Sequence, residues 1–182
     1  GTQYDEGTEV PIKFPQVKQF LSDSDFVLVS PMTGFDLNLK TMRHIKELAK
    51  CPIYLDYHIL ALDRDPLGNR FLRRRNNWFM WCTACDHLQL NKFEAESLCL
   101  FPIDSEEAML HFARPILEAG VKSVAVTLGE NGVFVCWKEQ KVDIQVKKIE
   151  PIPIQFADAT GAGDVFATGF IVNFIKTGDF LD

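Results

Sequence analysis

The sequence predicts an α/β fold, a three-layer α/β/α sandwich with a mostly parallel central sheet. Short β-rich runs alternate with segments of helical periodicity along the chain, and this alternation is typical of parallel strands joined by helical crossovers. Runs such as FVLVS at 26–30 are apolar throughout, which predicts strands covered by helices on both faces. Ligands in such sheets bind beyond the carboxyl ends of the strands. Asp56, Asn91 and Thr127 are expected at or near those ends.

The predicted elements follow one another in a regular order. The strands are predicted at 26–30, 53–57, 87–90, 123–128, 133–137 and 142–149, and the helices at 37–50, 94–100, 105–119 and from 164 onward. Ser105 before a helical segment and Gly120 just past it are start and stop signals. The GENG stretch at 129–132 predicts a hairpin between two β-runs, because Asn-Gly readily adopts the positive φ angles of a tight turn.

The composition limits the classes of function. The proportions of 47% hydrophobic and 24% charged residues are those of a globular protein, and 182 residues fit one domain. A net charge of −6 argues against a nucleic-acid surface. No stretch reaches the roughly 20 apolar residues of a membrane helix, and no signal peptide is visible. The five scattered cysteines predict reduced thiols and a cytoplasmic location.

Three minor features have simple interpretations. Cys82 and Cys85 form a CxxC pair, but no second pair exists, so free buried thiols are favoured over a zinc site. The segment 65–81 is basic and predicted to be helical in part. Its arginines predict a solvated helix face, with a phosphate or partner contact as the alternative. His58 follows a strand end, where packing or a loop role is favoured.

The stretch GAGD at 161–164 lies where an irregular segment becomes a helix. Apolar residues recur at helical spacing after Asp164, and Gly178 supplies a stop. The unpaired N–H groups of a helix start would let Gly161, Ala162 and Gly163 surround a phosphate. Asp164 beside that anion makes sense as a base for an attacking hydroxyl. The alternative is that Asp164 caps the helix and the glycines shape the turn.

Two further motifs each allow two interpretations. Asn91 followed by Glu94 is a capping box, but the same side chains could orient magnesium-bound waters against a nucleotide's phosphates. Thr127 and Gly129 mark a strand end and a hairpin turn. Alternatively, they form a wall on which a nucleotide lies, because Gly129 has no side chain to exclude it.

The motifs together resemble a known family. DATGAGD at 158–164 is similar to the second signature of the ribokinase family of carbohydrate kinases, also called the pfkB family. NxxE at 91–94 and TLG at 127–129, with Gly132 after it, precede that signature in the family's order. The resemblance covers the chain from about residue 26 onward. It implies a ribokinase-like fold and an ATP-dependent kinase that phosphorylates a hydroxyl of a small-molecule sugar or nucleoside.

The resemblance also implies roles for the residues of the last signature. Asp164 would be the catalytic base, and Gly161, Ala162 and Gly163 would form the anion hole for the transferred phosphoryl group. Asp158 and Thr160 match positions that, in many members, help to hold a monovalent cation such as K⁺.

The nucleotide and metal roles fall on the two earlier motifs. The resemblance implies that Thr127, Gly129 and Gly132 line the ATP site. It places Asn91 and Glu94 in the Mg²⁺ and phosphate network.

The sequence departs from the family pattern in two places. Many members carry Asp-Pro-Asn and then Arg where this chain has Asp56, Tyr57 and His58, so a substrate role near Asp56 is not carried over. Nothing matches the family's N-terminal strands, sugar-binding residues and lid, or its helices after the signature helix. We therefore expect 1–182 to be one incomplete ribokinase-like domain. Pairing into a homodimer, which the lid often mediates, stays open.

Two other functions are compatible with these motifs. One is a kinase of a vitamin-like alcohol, of the pyridoxal or hydroxymethyl-pyrimidine type, because that branch shares the glycine-aspartate helix start. The other is a non-catalytic sugar- or nucleotide-binding protein on the same fold. Asp164 argues against pure binding, since a carboxylate beside an anion repels it.

Overall fold

The structure is a computed structural model that describes residues 10–65, 67, 69–139, 143–152 and 160–179. Its strands are β1 Val27–Val29, β2 Ile53–Asp56, β3 Leu62–Arg64, β4 Arg70–Leu72, β5 His87–Asn91, β6 Ser123–Thr127, β7 Val133–Glu139 and β8 Asp143–Ile149. Its α-helices are α1 Phe14–Val17, α2 Leu39–Leu48, α3 Trp78–Cys82, α4 Lys92–Cys99, α5 Glu106–Glu118 and α6 Ala162–Thr177. No helix in the described ranges is long and apolar enough to span a bilayer.

The central sheet has the order β1-β2-β5-β6-β7-β8. Its first four strands are parallel, whereas β7 and β8 each pair antiparallel with the preceding strand. The predicted mostly parallel sheet is therefore confirmed. Asp56 pairs with Gln89, and Asn91 pairs with Thr127, so the carboxyl ends of β2, β5 and β6 lie at one edge, as expected.

Helices cover both faces of the sheet. On one face α2 to α5 pack over a continuous apolar core, to which the strands contribute every second residue: Ile53, Leu55, Leu88, Leu90, Val124, Val126, Phe134 and Cys136. The opposite face is covered by α6. This alternation follows from the period of two along a strand, and it confirms the predicted three-layer sandwich.

Aromatic side chains attach α6 to the sheet. Phe166 packs beside Val133 and Val135, while the ring of Phe170 lies 4.9 Å from the rings of both Tyr54 and His87. The helix ends at Gly178, whose φ of 74° is left-handed, so the predicted stop is confirmed.

Two strand and turn predictions are wrong in detail. Leu28, in the middle of the run predicted to be covered on both faces, is 43% exposed, because β1 is the edge strand of the sheet. The turn after β6 is a 3₁₀ turn, Gly129–Asn131. Its positive φ angles belong to Gly129 and Gly132 rather than to Asn131.

The prediction of a solvated helix face for the arginine-rich segment is also wrong. Arg70 lies on β4, which pairs with β3 in a separate two-stranded sheet. Arg75 donates to the Leu60 carbonyl at 2.9 Å, and the Arg74 guanidinium lies over the Trp78 ring at 5.3 Å. The helical part begins only at Trp78. A carbonyl group and an aromatic ring, rather than water alone, therefore contact the guanidinium groups of Arg75 and Arg74.

Cys82 and Cys85 are buried free thiols. The Cys85 thiol donates to the Cys82 carbonyl at 3.3 Å, and burial raises the pKa of both groups. Thiols in such a setting are inert, because the thiolate is the reactive form.

Candidate active site

The start of α6 lies over the sheet near the ends of β2 and β5. Gly161 is its N-cap residue, with a φ of 79°. The first bond of the helix runs from the Val165 amide to the Gly161 carbonyl at 3.0 Å. The amides of Ala162, Gly163 and Asp164 thus precede the helical ladder, and no side chain in the described ranges caps them. An open helix N-terminus of this kind carries partial positive charge and favours an anion.

Asp164 is an exposed residue in the first turn of α6. The alternative that Asp164 caps the helix is wrong, because the N-cap residue is Gly161, which has no side chain to accept a bond. Among the described residues, the Asp164 carboxylate makes no hydrogen bond. It is therefore available to an incoming group.

The start of α4 is closed by its own side chains. The Asn91 side chain accepts a bond from the Glu94 amide at 3.0 Å, and Glu94 Oε2 accepts one from the Asn91 amide at 2.8 Å. The capping-box interpretation is confirmed. Glu94 is nearly fully buried, and its Oε1 lies 2.9 Å from Nδ1 of His58.

His58 is more than a loop residue. It begins a 3₁₀ turn after β2, and its ring is about half exposed. The hydrogen bond to Glu94 raises its pKa. The His58 ring therefore joins the strand end of β2 to the capped start of α4.

Asp56, set aside in the sequence analysis, is the residue that sequence reasoning missed. Its carboxylate is 7% exposed, and burial raises its pKa to about 6, with Glu94 and Asp164 adding to the rise and His58 opposing it. The four groups are thus close enough to feel one another's charge. The signal in the sequence was a single acid at the end of the apolar run IYLD.

Gln89 is a second polar residue that the sequence did not single out. It lies on β5 and is 3% exposed. Its Oε1 accepts a bond from the Tyr54 hydroxyl at 2.6 Å. Its Nε2 donates to the Gly163 carbonyl at 3.2 Å, so the side chain links the sheet to the start of α6.

A cleft of about 280 Å³ joins two of the predicted groups of residues. The wall from the β6–β7 turn contains the three residues predicted to line an ATP site: Thr127, Gly129 and Gly132. The facing wall contains Ala162 and Gly163 of the predicted anion hole. The structure therefore brings the strand-end motif and the helix start to one opening, although 33 residues separate them in sequence.

Glycine at position 132 has a packing reason of its own. Its φ is 87°, and a Cβ there would overlap the Ile149 carbonyl oxygen of the adjacent strand. Gly129 also has a positive φ, but open space surrounds it. The absence of a side chain at Gly129 therefore leaves room at the mouth of the cleft.

The two residues predicted to hold a monovalent cation are unequally described. Thr160 lies at the exposed turn just before α6, whereas Asp158 lies outside the described residues. Within the described ranges, no three His, Cys, Asp or Glu side chains converge into a ready-made metal site. Magnesium commonly keeps several waters and binds through one or two carboxylates plus substrate phosphates. Asp56 fits that mode of binding, whereas Glu94 and Asn91 already bond to each other and would meet such waters only through their remaining lone pairs.

Comparison with known proteins identifies the family. Residues 14–182 match a family described as pfkB family carbohydrate kinase. A deoxyribokinase from Salmonella typhi is 28% identical over 99 residues, which cover 54% of this chain and 31% of that protein. A ribokinase from Staphylococcus aureus (strain COL) is 34% identical over 91 residues, which cover 50% of this chain and 28% of that protein.

Solved structures show the same fold. A ribokinase of Arabidopsis thaliana complexed with ribose and ATP superimposes with a TM-score of 0.67 at 20% identity, over 89% of this chain and 46% of that one. A pyrophosphate-dependent kinase in the ribokinase family, complexed with a pyrophosphate analogue and myo-inositol, gives 0.68 at 16% identity, over 91% and 55%. The matched part of this chain thus spans about a third of the curated relatives and half of these structures.

Proposed function

Because the chain belongs to the pfkB family of carbohydrate kinases, we propose that it forms the catalytic part of an ATP-dependent sugar kinase. The reaction transfers the γ-phosphate of ATP to a hydroxyl of a sugar. The observation that carries the proposal is the cleft in which the β6–β7 turn faces the open start of α6, with Asp164 in the first turn of that helix. A donor phosphate lying there would meet amides and a base together.

Asp164 acts as the base in this proposal. The acceptor hydroxyl oxygen attacks the γ-phosphorus, the bond from that phosphorus to the bridging oxygen of ADP breaks, and the hydroxyl proton passes to the Asp164 carboxylate. The exposed, unpartnered carboxylate supports this role. General-base help of this kind contributes about 10²–10⁴-fold to a rate.

The amides of Gly161, Ala162 and Gly163 stabilise the transferred group. They stand at the positive end of α6, where charge on the equatorial phosphoryl oxygens is favoured. Phosphoryl transfer depends on positioning and charge stabilisation more than on covalent chemistry. The open helix start supports this role, since no side chain among the residues that the structure describes caps its amides.

Asn91, Glu94 and the buried Asp56 would hold Mg²⁺ through its waters. Magnesium supplies charge neutralisation at the donor phosphates when it is bound. The chain's own contribution is to hold these acceptor oxygens together beside the ends of β2 and β5. The raised pKa of Asp56 supports this arrangement, because a carboxylate that repels its neighbours is relieved by a cation.

A monovalent cation near Asp158 and Thr160 belongs to the same proposal. If these residues hold K⁺ beside the anion hole, potassium raises the rate at constant ionic strength. A flat response against a salt of a non-binding cation would remove this part of the proposal and leave the rest intact.

The names of the relatives favour a sugar as acceptor. A deoxyribokinase and a ribokinase are among them, which supports a pentose-like sugar over a nucleoside or a vitamin-like alcohol. One structural neighbour uses pyrophosphate, so the donor is tested as well as the acceptor.

The test uses the full-length protein with Mg²⁺. Transfer of labelled phosphate from ATP and from pyrophosphate is measured over a panel of sugars, nucleosides and vitamin alcohols. We expect a sugar to be phosphorylated from ATP, and Asp164→Asn to lower kcat by about 10²-fold or more. Glu107→Gln, an exposed acid in the first turn of α5, is the matched control and keeps the wild-type rate.

Each other outcome has a definite meaning. An Asp164→Asn protein as fast as wild type would show that Asp164 is not the base. Binding of sugar or nucleotide without any phosphorylation would favour the non-catalytic alternative.

A further inference from the structure

A chain of buried hydrogen bonds runs from the sheet to the first turn of α6. The Tyr54 hydroxyl on β2 donates to Gln89 Oε1 at 2.6 Å, and Gln89 Nε2 donates to the Gly163 carbonyl at 3.2 Å. Tyr54 is 1% exposed and Gln89 is 3% exposed. Burying polar groups this deeply costs free energy unless each has a hydrogen-bond partner. These two hydrogen bonds supply the partners that the buried groups at this interface need.

The Tyr54 hydroxyl fixes which way the Gln89 amide faces. A glutamine amide has one acceptor oxygen and one donor nitrogen. Because the oxygen receives the tyrosine proton, the nitrogen turns toward α6. There it meets the Gly163 carbonyl, which accepts this bond in addition to the bonds of the helix.

Gly163 is shaped to receive this contact. A Cβ at position 163 would lie 3.3 Å from Gln89 Nε2 and 3.8 Å from Asp56 Oδ2. Any side chain would therefore press on the Gln89 amide and shift its contact with the helix start. The absence of a side chain at Gly163 serves the approach of the helix to the sheet as well as the approach of an anion.

The contacted carbonyl belongs to the same peptide group as the Asp164 amide. A trans peptide is planar, and its C=O and N–H point in opposite directions. Donation to the Gly163 carbonyl holds that plane, so that the Asp164 N–H points toward the open end of α6. Hydrogen bonds that follow one another through a peptide also strengthen each other.

We propose that Gln89 is a positioning residue for phosphoryl transfer, holding the first turn of α6 in register with the magnesium-network residues of β5. Gln89 precedes Asn91 by two positions on the same strand, so one rigid element sets the place of both. The proposal rests on the proposed kinase function and extends it to a residue outside the family motifs.

The test compares three variants of the full-length protein. Gln89→Met keeps the length of the side chain but removes both polar atoms, and Tyr54→Phe removes the orienting hydroxyl. Leu88→Ala is the control, since Leu88 is buried on the other face of the same strand. Its cavity lowers stability without touching α6.

Two measurements are made on each variant. We expect Gln89→Met to lower kcat by about tenfold or more with the donor KM within about twofold, because misplacement acts on the transition state. Tyr54→Phe lowers kcat by about threefold, the loss of one neutral hydrogen bond. Hydrogen exchange at the amides of 165–167 becomes about tenfold faster in Gln89→Met, while the last turn of α6 is unchanged.

The control separates positioning from stability. Leu88→Ala melts at a lower temperature but keeps the exchange pattern of α6 and the kcat of the folded protein. The proposal is overturned if Gln89→Met keeps kcat and first-turn exchange, or if Leu88→Ala reproduces both changes. If the wild-type protein phosphorylates no alcohol, the kinase proposal fails, and the exchange result alone decides whether Gln89 holds the helix start.

Discussion

The helices α4 and α6 begin near the same edge of the sheet, but their first turns are capped in different ways. The start of α4 is closed by Asn91 and Glu94, which satisfy each other's amides. The start of α6 has Gly161 as its cap, and no side chain in the described part of the chain bonds to its amides. The helix α4 follows β5 directly, and the two starts differ in the residues that cap them.

The comparison shows what a missing cap provides. The helices α2 and α5 are also capped by side chains, Asn38 at 2.9 Å from the Thr41 amide and Ser105 at 3.2 Å from the Ala108 amide. A side-chain cap contributes about 1 kcal/mol to stability. The start of α6 lacks this stabilisation, and the amides of its first turn face the cleft instead. A closed start stabilises the fold, and an open start is available to a ligand.

Removing the acid from each start should separate these two roles most clearly. Glu94→Ala leaves the Asn91 amide and side chain without their buried acceptor, and we expect it to lower the free energy of unfolding by about 3 kcal/mol. Asp164→Ala removes only a favourable interaction with the helix dipole, below about 1 kcal/mol. Urea denaturation of both variants measures the difference.

The result contradicts the comparison if Asp164→Ala destabilises as much as Glu94→Ala. Glu107→Ala on α5 is the control for loss of an exposed first-turn acid and should behave as Asp164→Ala does.

Acid should loosen α6 rather than α4, because α6 packs on a buried histidine. Burial among Phe26, Phe170 and Phe174 lowers the pKa of His87 from 6.5 to about 4, although nearby Asp86 opposes the change. Below pH 6.5 the unfolded chain binds a proton that the folded chain does not. Stability from this group is therefore complete above that pH and is lost as the pH falls toward 4. The loss at pH 5 is about 2 kcal/mol.

Denaturation curves from pH 8 to pH 5 test this expectation. In His87→Phe, which keeps an aromatic ring but does not titrate, the component of about 2 kcal/mol should disappear. An unchanged acid dependence in His87→Phe would show that other groups control the acid stability.

A small effect is expected at the open cap itself. Gly161→Ala places a Cβ on a residue with a φ of 79°, but no atom of the described residues lies within 4 Å of that position. Strain alone should cost about 1 kcal/mol in thermal or chemical denaturation. A loss far above this value would mean that the residues near Gly161 pack against it.

The fold was predictable where the pattern is local. The apolar spacing after Asp164 and Gly178 predicted the last helix, and the Ser105 and Asn91 caps predicted the starts of α5 and α4. The exposure of Leu28 was not predictable, because strand order, not the run FVLVS, makes β1 an edge. The pairing of β3 with β4 was not predictable either. It brings together two short strands around a basic segment, and an arginine of that segment bonds to the carbonyl of a distant residue.

The site was predictable only in part, for the same reason. The motif residues Thr127, Gly129 and Gly163 meet in one cleft, as the resemblance implies. The contacts of Gln89 with Tyr54 and Gly163 join positions 35 and 74 residues apart. Such contacts arise from the placing of β2 beside β5 and of α6 across them, which no local pattern contains.

Ligand binding in the cleft between the β6–β7 turn and α6 would be thermodynamically linked to folding. Its walls come from the 127–133 segment, the 149–151 segment and the start of α6, which meet only in the folded chain. A nucleotide seated there would bind the native state and not the unfolded one. At a concentration a hundred times its Kd it would add about 2.7 kcal/mol to stability. If the cleft binds such a nucleotide, the protein is most easily unfolded, and most exposed to proteolysis, when that nucleotide is scarce.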